Sequence, residues 1–321
     1  MAMTYLGRKL AVGILAVGIG TAGIVHAQTY PAKPITFLYP YASGSGTDTS
    51  WRAVTEEVGK LLGTTIVYEN RPGAGGKIST QAIMRAAPDG YTIGMANSQI
   101  IVNLAVQDAD FQVRPGKDYQ PIVNVMETFI TLYGRADLPF KDGKGLVNYA
   151  KSNPGKLNIG APGAVFLVDL MKMEGGMDFA QVNFQGEAPA LTALLGGHID
   201  AFAGGGGAKP YVDKGQIQAI ATSGSRRWSL YPNVPTLVEQ GYPNIYDSVW
   251  LGTIGPAGMP RPVVERLNKA FNDALSSQRV KDTLAQFGMD PRGSTPEEFS
   301  QLTQKDIDRK GPILRATNPN K

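Results

Sequence analysis

Apolar residues follow two alternating rhythms along this chain. Short apolar runs at 35–39, 65–68, 91–95, 157–159, 199–203 and 217–222, bounded by glycine, proline or polar residues, predict buried strands. Between them, apolar side chains return at helical spacing. Trp51, Val54, Val58 and Leu61 mark a helix that Gly63 stops, and 165–173, apolar nearly all round, predicts a buried helix. Further helices are expected through Ile83 and Ala86, over 189–195, and from Pro260 onward with Val263, Leu267, Ala270, Phe271 and Leu275 mostly on one face. Ser294-Thr295-Pro296-Glu297 signals the start of a last long helix, and Thr236-x-x-Glu239 has the capping-box spacing of a short one. Strands alternating with helices predict parallel, covered sheets in an α/β fold.

Two extended stretches interrupt the alternation, at 122–133 and 248–254. They read as an outward and a return crossing between two domains, and 321 residues exceed one ordinary core. The expected division is 28–125 with 251–321 as one domain and 126–250 as the other. Ahead of both, Arg8 and Lys9 precede an apolar stretch over 10–25, and Val25-His26-Ala27 fits a small-x-small cleavage site. Residues 1–27 therefore read as a signal peptide, with Gln28 as the mature N-terminus and the periplasm as destination.

Composition removes several chemistries. The chain has no cysteine, so disulfides, thiol catalysis and thiolate metal sites are excluded. Of two histidines, His26 leaves with the signal, and His198 falls in a predicted helix stop where a structural role suffices. The net charge of +4 falls by two when Arg8 and Lys9 leave, and no basic cluster supports nucleic-acid binding. Mean hydropathy of -0.14 excludes an integral membrane bundle. No carboxylate pair makes a case for acid–base catalysis, and no metal or other cofactor is called for.

The loop at 41–48 carries the clearest chemical signal. Tyr41-Ala42-Ser43-Gly44-Ser45-Gly46-Thr47-Asp48 is small-residue chain between a strand and a helix. Backbone N–H groups there can approach a ligand closely, at a helix N-terminus that favours an anion. Asp48 reads as a residue that caps or charges the first helical turn. A second strand–loop–helix unit begins at Asn158, with Gly160-Ala161-Pro162-Gly163-Ala164 as its loop. A phosphate-binding P-loop is excluded at Gly73-Ala74-Gly75-Gly76-Lys77-Ile78, where Ile stands in place of the required hydroxyl. No G-x-S-x-G elbow supports a hydrolase.

Ordered motifs spread along the whole mature chain resemble the Bug-type (TctC-like) solute-binding proteins of tripartite tricarboxylate transporters. They include Tyr30-Pro-x-Lys33-Pro34-Ile35, Pro40-x-x-x-Gly44-x-x-Thr47-Asp48, 69–76, Ala87-Pro88-Asp89-Gly90-Tyr91-Thr92 and 153–158. Further on come Ala188-Pro189-Ala190-Leu191 with Leu194-Leu195-Gly196-Gly197, then Pro232-x-Val234-Pro235-Thr236, Pro256-Ala257-Gly258-x-Pro260 and 293–299. The resemblance implies a two-domain periplasmic binding protein fold (type II-like) with two crossing strands and an interdomain ligand cleft. It implies a non-enzymatic receptor, acting as a monomer, that captures a small organic acid and presents it to integral-membrane permease subunits. A sensor docking on a membrane kinase, or a secreted α/β hydrolase, stands as the alternative.

Carried onto this chain, the family's pocket comprises Tyr41, Ala42, Ser43, Gly44, Ser45, Gly46 and Thr47, helped by Asn97 and Ser98. The facing side comprises Ala161, Pro162, Gly163, Ala164 and Phe166, with Gln185, Gly204 and Gly205 at neighbouring strand ends. The 161–166 loop offers mostly apolar surface. The ligand expected from it is a monocarboxylate with an apolar or aromatic body, unless Gln185 or Lys209 reaches a second charge.

Overall fold

The computed structural model describes residues 1, 30–107, 113–162, 165–184 and 186–317. Residues 2–27 of the expected signal segment, Gly163, Ala164 and Gln185 thus lie outside the described residues. The first half-molecule begins with β1 (Ile35–Tyr39), α1 (Gly46–Leu62), β2 (Ile66–Asn70), α2 (Lys77–Met84), β3 (Thr92–Asn97) and α3 (Ser98–Gln107). β4 (Tyr119–Phe129) closes that run, and β5 (Thr131–Arg135) opens the second with α4 (Gly143–Ser152) and β6 (Asn158–Gly160). There follow α5 (Val165–Met173), β7 (Ala180–Val182), α6 (Glu187–Leu195), β8 (Ala201–Gly204), α7 (Lys209–Asp213) and β9 (Ile217–Thr222). The chain returns through β10 (Ser248–Pro256) to α8 (Arg261–Ala274), α9 (Gln278–Gln286), β11 (Asp290–Pro291) and α10 (Pro296–Thr317).

Two sheets result, ordered β11-β4-β10-β3-β1-β2 and β7-β6-β8-β5-β9. Helices cover both faces of each. In the first, α1, α8 and α9 pack Trp51, Val54, Val58, Leu267 and Leu284 on one side, while Ile83, Ile101 and Phe299 fill the other. In the second, Leu146, Leu167 and Met171 face one way and Leu194, Phe202 and Trp228 the other. β1 is buried on both faces, which is why it reads as an unbroken apolar run. The α1 stripe departs from expectation at its end. Leu61 is 42% exposed and Leu62 is buried instead, because the sequence Val54, Val58, Leu62 keeps one helical face.

The sheets are mixed, not parallel throughout. β1, β2 and β3 run parallel, as do β6, β7 and β8. The crossing strands enter antiparallel: β10 against β3 and β4, β5 against β8 and β9. A strand returning from another domain need not obey the βαβ rule that governs its neighbours. The chain changes sheets at Ile130 and returns at Ser248, inside the stretches read as crossings; the expected divisions at 125/126 and 250/251 fall within β4 and β10.

Ser223 ties the two crossings together. Its N–H donates to the Ile130 carbonyl (2.8 Å), its hydroxyl accepts from the Ile130 N–H (3.0 Å), and that hydroxyl donates to the Asp247 carbonyl (2.5 Å). Beside it, buried Lys310 of α10 meets Asp247 at 2.8 Å and Asp306 at 3.0 Å. Burial lowers the Lys310 ammonium, but the two carboxylates outweigh it and hold its pKa above the ordinary value. Reciprocal capping bonds form at the expected Thr236-x-x-Glu239 box and, one residue beyond the expected Ser294-x-x-Glu297 spacing, between Thr295 and Glu298. Thr295 and Glu298 open α10, whereas Thr236 and Glu239 close only a turn (2.9 and 3.0 Å). His198 is exposed in the bend after α6.

Candidate ligand-binding cleft

A cleft of about 1010 Å³ opens between the two sheets. Its first wall is the loop before α1. Ser45 is the N-cap: its hydroxyl accepts the Asp48 N–H at 3.1 Å, which leaves the Gly46 and Thr47 N–H groups as first-turn donors with no carbonyl four residues back inside the helix. Tyr41 and Asn97 form the floor. The Asn97 amide donates to the Tyr41 hydroxyl (2.9 Å), while its oxygen accepts the Ile100 N–H (2.9 Å) and caps α3. Burial raises the Tyr41 phenol, partly offset by Asn97.

Asp48 shapes the loop from behind. Its carboxylate accepts from the Gly44 N–H (3.1 Å), Arg52 Nε (3.1 Å) and Asn70 Nδ2 (3.2 Å), and Asn70 also holds the Tyr41 carbonyl at 3.0 Å. Burial alone would raise this carboxyl, but the Gly44 N–H, the Arg52 guanidinium and the Asn70 amide outweigh it and hold it below 3.8.

The opposite wall comes from β8, the glycines after it, α6 and α7. Gly204, Gly205, Gly206 and Gly207 line it, with Pro162, Glu187, Lys209, Pro210 and Asp213. Glu187, in the first turn of α6, accepts the Gly205 N–H through Oε1. The Lys209 ammonium lies 2.6 and 2.9 Å from the two oxygens of Asp213. Burial pushes the Glu187 carboxyl up, and the Gly205 bond offsets part of the rise. Thr128, Phe129, Ile130, Val249 and Leu251 of the crossings close the back, and Gln286, Phe287 and Met289 close one side.

Of the residues expected from sequence, Tyr41, Ala42, Ser43, Ser45, Gly46, Thr47, Asn97, Pro162, Gly204 and Gly205 line this cleft. Gly44, Ser98, Ala161 and Phe166 are not among the described residues that do. The Gly44 N–H is directed to Asp48, and its φ of +99° is what requires glycine. Ser98 is fully buried. Ala161 and Phe166 join the second domain's core, with Arg309 and Lys310 each 5.4 Å from the Phe166 ring centre. Gly163, Ala164 and Gln185 lie outside the described residues. The loop reading did not find Phe287, whose ring sits so close to Gly46 that a Cβ there would lie 2.5 Å from it. Sequence held no signal for that contact between distant segments. Glu187 stood within a segment read as a strand end, and its carboxylate gave no local sign of facing the glycine run.

Two α/β lobes joined by paired crossings, with an intervening cleft into which a helix N-terminus opens, define a two-domain binding protein. The chain belongs to the tripartite tricarboxylate transporter receptor family, matching its model over residues 51–318. It is 30% identical to the Bordetella pertussis protein BugT over 318 residues, covering 97% of both chains. A Cupriavidus necator UPF0065 protein is 31% identical over 293 residues, 90% of this chain and 89% of the relative. Among solved structures, MatC of Rhodopseudomonas palustris with bound malate is similar at a TM-score of 0.73 and 31% identity, over 89% of this chain and 100% of MatC. The periplasmic binding protein BugD gives a TM-score of 0.73 at 26% identity, over 89% of this chain and 98% of its own. The chain is accordingly a binding protein and not an enzyme. Among the described residues, no helix is long and apolar enough to cross a membrane.

Proposed function

We propose that this protein is a periplasmic receptor that captures a small carboxylate in the interdomain cleft and delivers it to the membrane subunits of a tripartite tricarboxylate-type permease. The observation that carries this reading is the N-terminus of α1, whose Gly46 and Thr47 donors open into the 1010 Å³ cleft. The carboxylate sits on those N–H groups with Ala42, Ser43 and Asn97 around it. The second domain closes over it through Pro162, Gly204 and Gly205, and the ligand shifts the open–closed equilibrium by binding both walls at once. The binding lobes are the two sheets with their helices, divided at Ile130 and Asp247. Residues 1–27 are a signal peptide removed on export.

The second wall favours a single negative charge on the ligand. Among the described residues of that wall, Glu187 and Asp213 face one cation, Lys209, so a second ligand carboxylate would meet net negative charge. This supports the expectation of a monocarboxylate, although malate occupies the related MatC. A thermal-shift screen of aliphatic and aromatic mono- and dicarboxylates tests the reading, because a ligand that binds only the native state raises the melting temperature. Stabilisation by at least one monocarboxylate is expected. No shift with any carboxylate would overturn it.

A further inference from the structure

The run Gly204-Gly205-Gly206-Gly207 has a specific neighbour. A Cβ at Gly205 would lie 2.9 Å from Glu187 Oε1, one at Gly207 would lie 3.2 Å from Oε2, and one at Gly204 would lie 3.3 Å from the carboxyl carbon. At Gly205 and Gly207 the absence of a side chain lets the backbone approach this carboxylate, whereas a Cβ at Gly204 would first meet Phe202 (2.6 Å) and one at Gly206 would meet Leu230 (2.5 Å). The cradle is itself anchored, since the Tyr133 hydroxyl donates to the Gly205 carbonyl at 2.6 Å and contacts the Tyr231 hydroxyl at 3.0 Å. Oε1 takes the Gly205 N–H, and Oε2 has no hydrogen-bond partner among the described residues.

No described cationic side chain pairs with Glu187. Lys209, the one cation among the described lining residues, is taken by both oxygens of Asp213. A half-buried carboxylate given one backbone donor is incompletely compensated, and a cationic group brought by the ligand would complete it. Burial, which raises the Glu187 carboxyl, acts in the same sense, because a carboxylate penalised in the empty cleft gains most from a cation.

We propose that Glu187 is the specificity-determining residue of the second wall and that the ligand is a small zwitterion, its carboxylate on the α1 N-terminus and a protonated nitrogen on Glu187. This inference rests on the carboxylate-receptor reading and narrows its substrate class. The glycine run is then a device for placing one carboxylate in the cleft.

Calorimetry on the exported protein tests it with matched pairs: straight-chain ω-amino acids from glycine to aminohexanoate, and aminomethylbenzoate, each against the same acid without nitrogen. At least one aminated member should bind about tenfold or more tighter than its partner, the worth of a charge-assisted hydrogen bond. In Glu187→Gln that preference should vanish. Wild-type protein that binds unsubstituted acids or dicarboxylates as tightly as every aminated acid would overturn the proposal, without need of the variant. Preference that survives in Glu187→Gln would also overturn it. Binding of unsubstituted acids alone would leave the receptor reading standing and sink only this one, whereas binding of no carboxylate at all would remove both.

Discussion

The Trp228 indole N–H donates to the Gly288 carbonyl at 2.8 Å, joining residues 60 positions apart. Trp228 belongs to the segment that leads from β9 back to β10 and packs in the second domain's core, edge-on to Phe129 at 6.2 Å. Gly288 follows α9 in the first domain, between the cleft residues Phe287 and Met289. Around this bond, Arg226 reaches Glu127 (3.1 Å) and Asp290 (2.8 Å), so the two lobes are fastened beside the ligand cleft.

Trp228→Phe keeps most of the apolar bulk and leaves the Gly288 carbonyl without its donor. Denaturant unfolding should show a loss of about 1–3 kcal/mol, the cost of a buried unsatisfied acceptor. Ligand affinity measured by calorimetry should fall as well, because the bond lies between lobes that the ligand must hold together.

Lys310 stands between Asp247 and Asp306 at the return crossing. Lys310→Met should cost about 3–5 kcal/mol by equilibrium unfolding, since it strands buried carboxylates without their cation. The double variant Lys310→Met with Asp247→Asn should recover a large part of that loss. Additive losses would show that the pair is not coupled.

Asp48 links loop geometry to pH. Its folded pKa lies below 3.8, so the stability it contributes is present above that value and lost as pH falls through the lower folded value. Asp48→Asn should therefore flatten the acid limb of a stability–pH curve. It should also weaken carboxylate binding at neutral pH, because the Gly44, Arg52 and Asn70 contacts that set the loop are reduced.

Glu187 has the opposite sign. Its folded pKa is raised above 4.5, so its protonated form favours folding at low pH and that advantage is lost as pH rises through the folded value. Glu187→Gln should accordingly stabilise the ligand-free protein at pH well above 4.5 and have little effect below it. Thermal melts across that range measure the difference.

In the first loop, Ser45→Ala removes a helix cap and should cost on the order of 1 kcal/mol in stability. Gly44→Ala meets no atom within 4 Å, yet must adopt a φ near +99°, so the expected loss is about 1–3 kcal/mol from backbone strain alone. Gly46→Ala differs from both. Its Cβ would collide with Phe287, so the ring must move, and a change in ligand affinity is the expected readout.

Local chemistry was legible where neighbours in sequence are neighbours in space. The strands Ile35–Tyr39 and Ile217–Thr222 and the helix Val165–Met173 follow from apolar runs and periodicity. Gly63, with φ of +68°, ends α1 as its position suggested, and Thr295 with Glu298 opens α10. The small residues before α1 do form a loop at a helix N-terminus, since that property needs only the absence of bulk and the orientation of a helix.

Tertiary structure decided everything that depends on two segments meeting. It turned the Gly44 N–H toward Asp48, drew Phe166 into the core, and set Phe287 against Gly46. It also reduced the Thr236 box to a turn: the reciprocal bonds require only three residues' spacing, whereas a helix needs further turns, and Gly241, with φ of +96°, ends this one. Glu187 and Gly205 are 18 residues apart, on a helix start and a strand end whose side-by-side placement follows from sheet order. A four-glycine run looks like low complexity until a carboxylate is seen inside it. Sheet order and lobe closure come from long-range packing, which local periodicity does not encode.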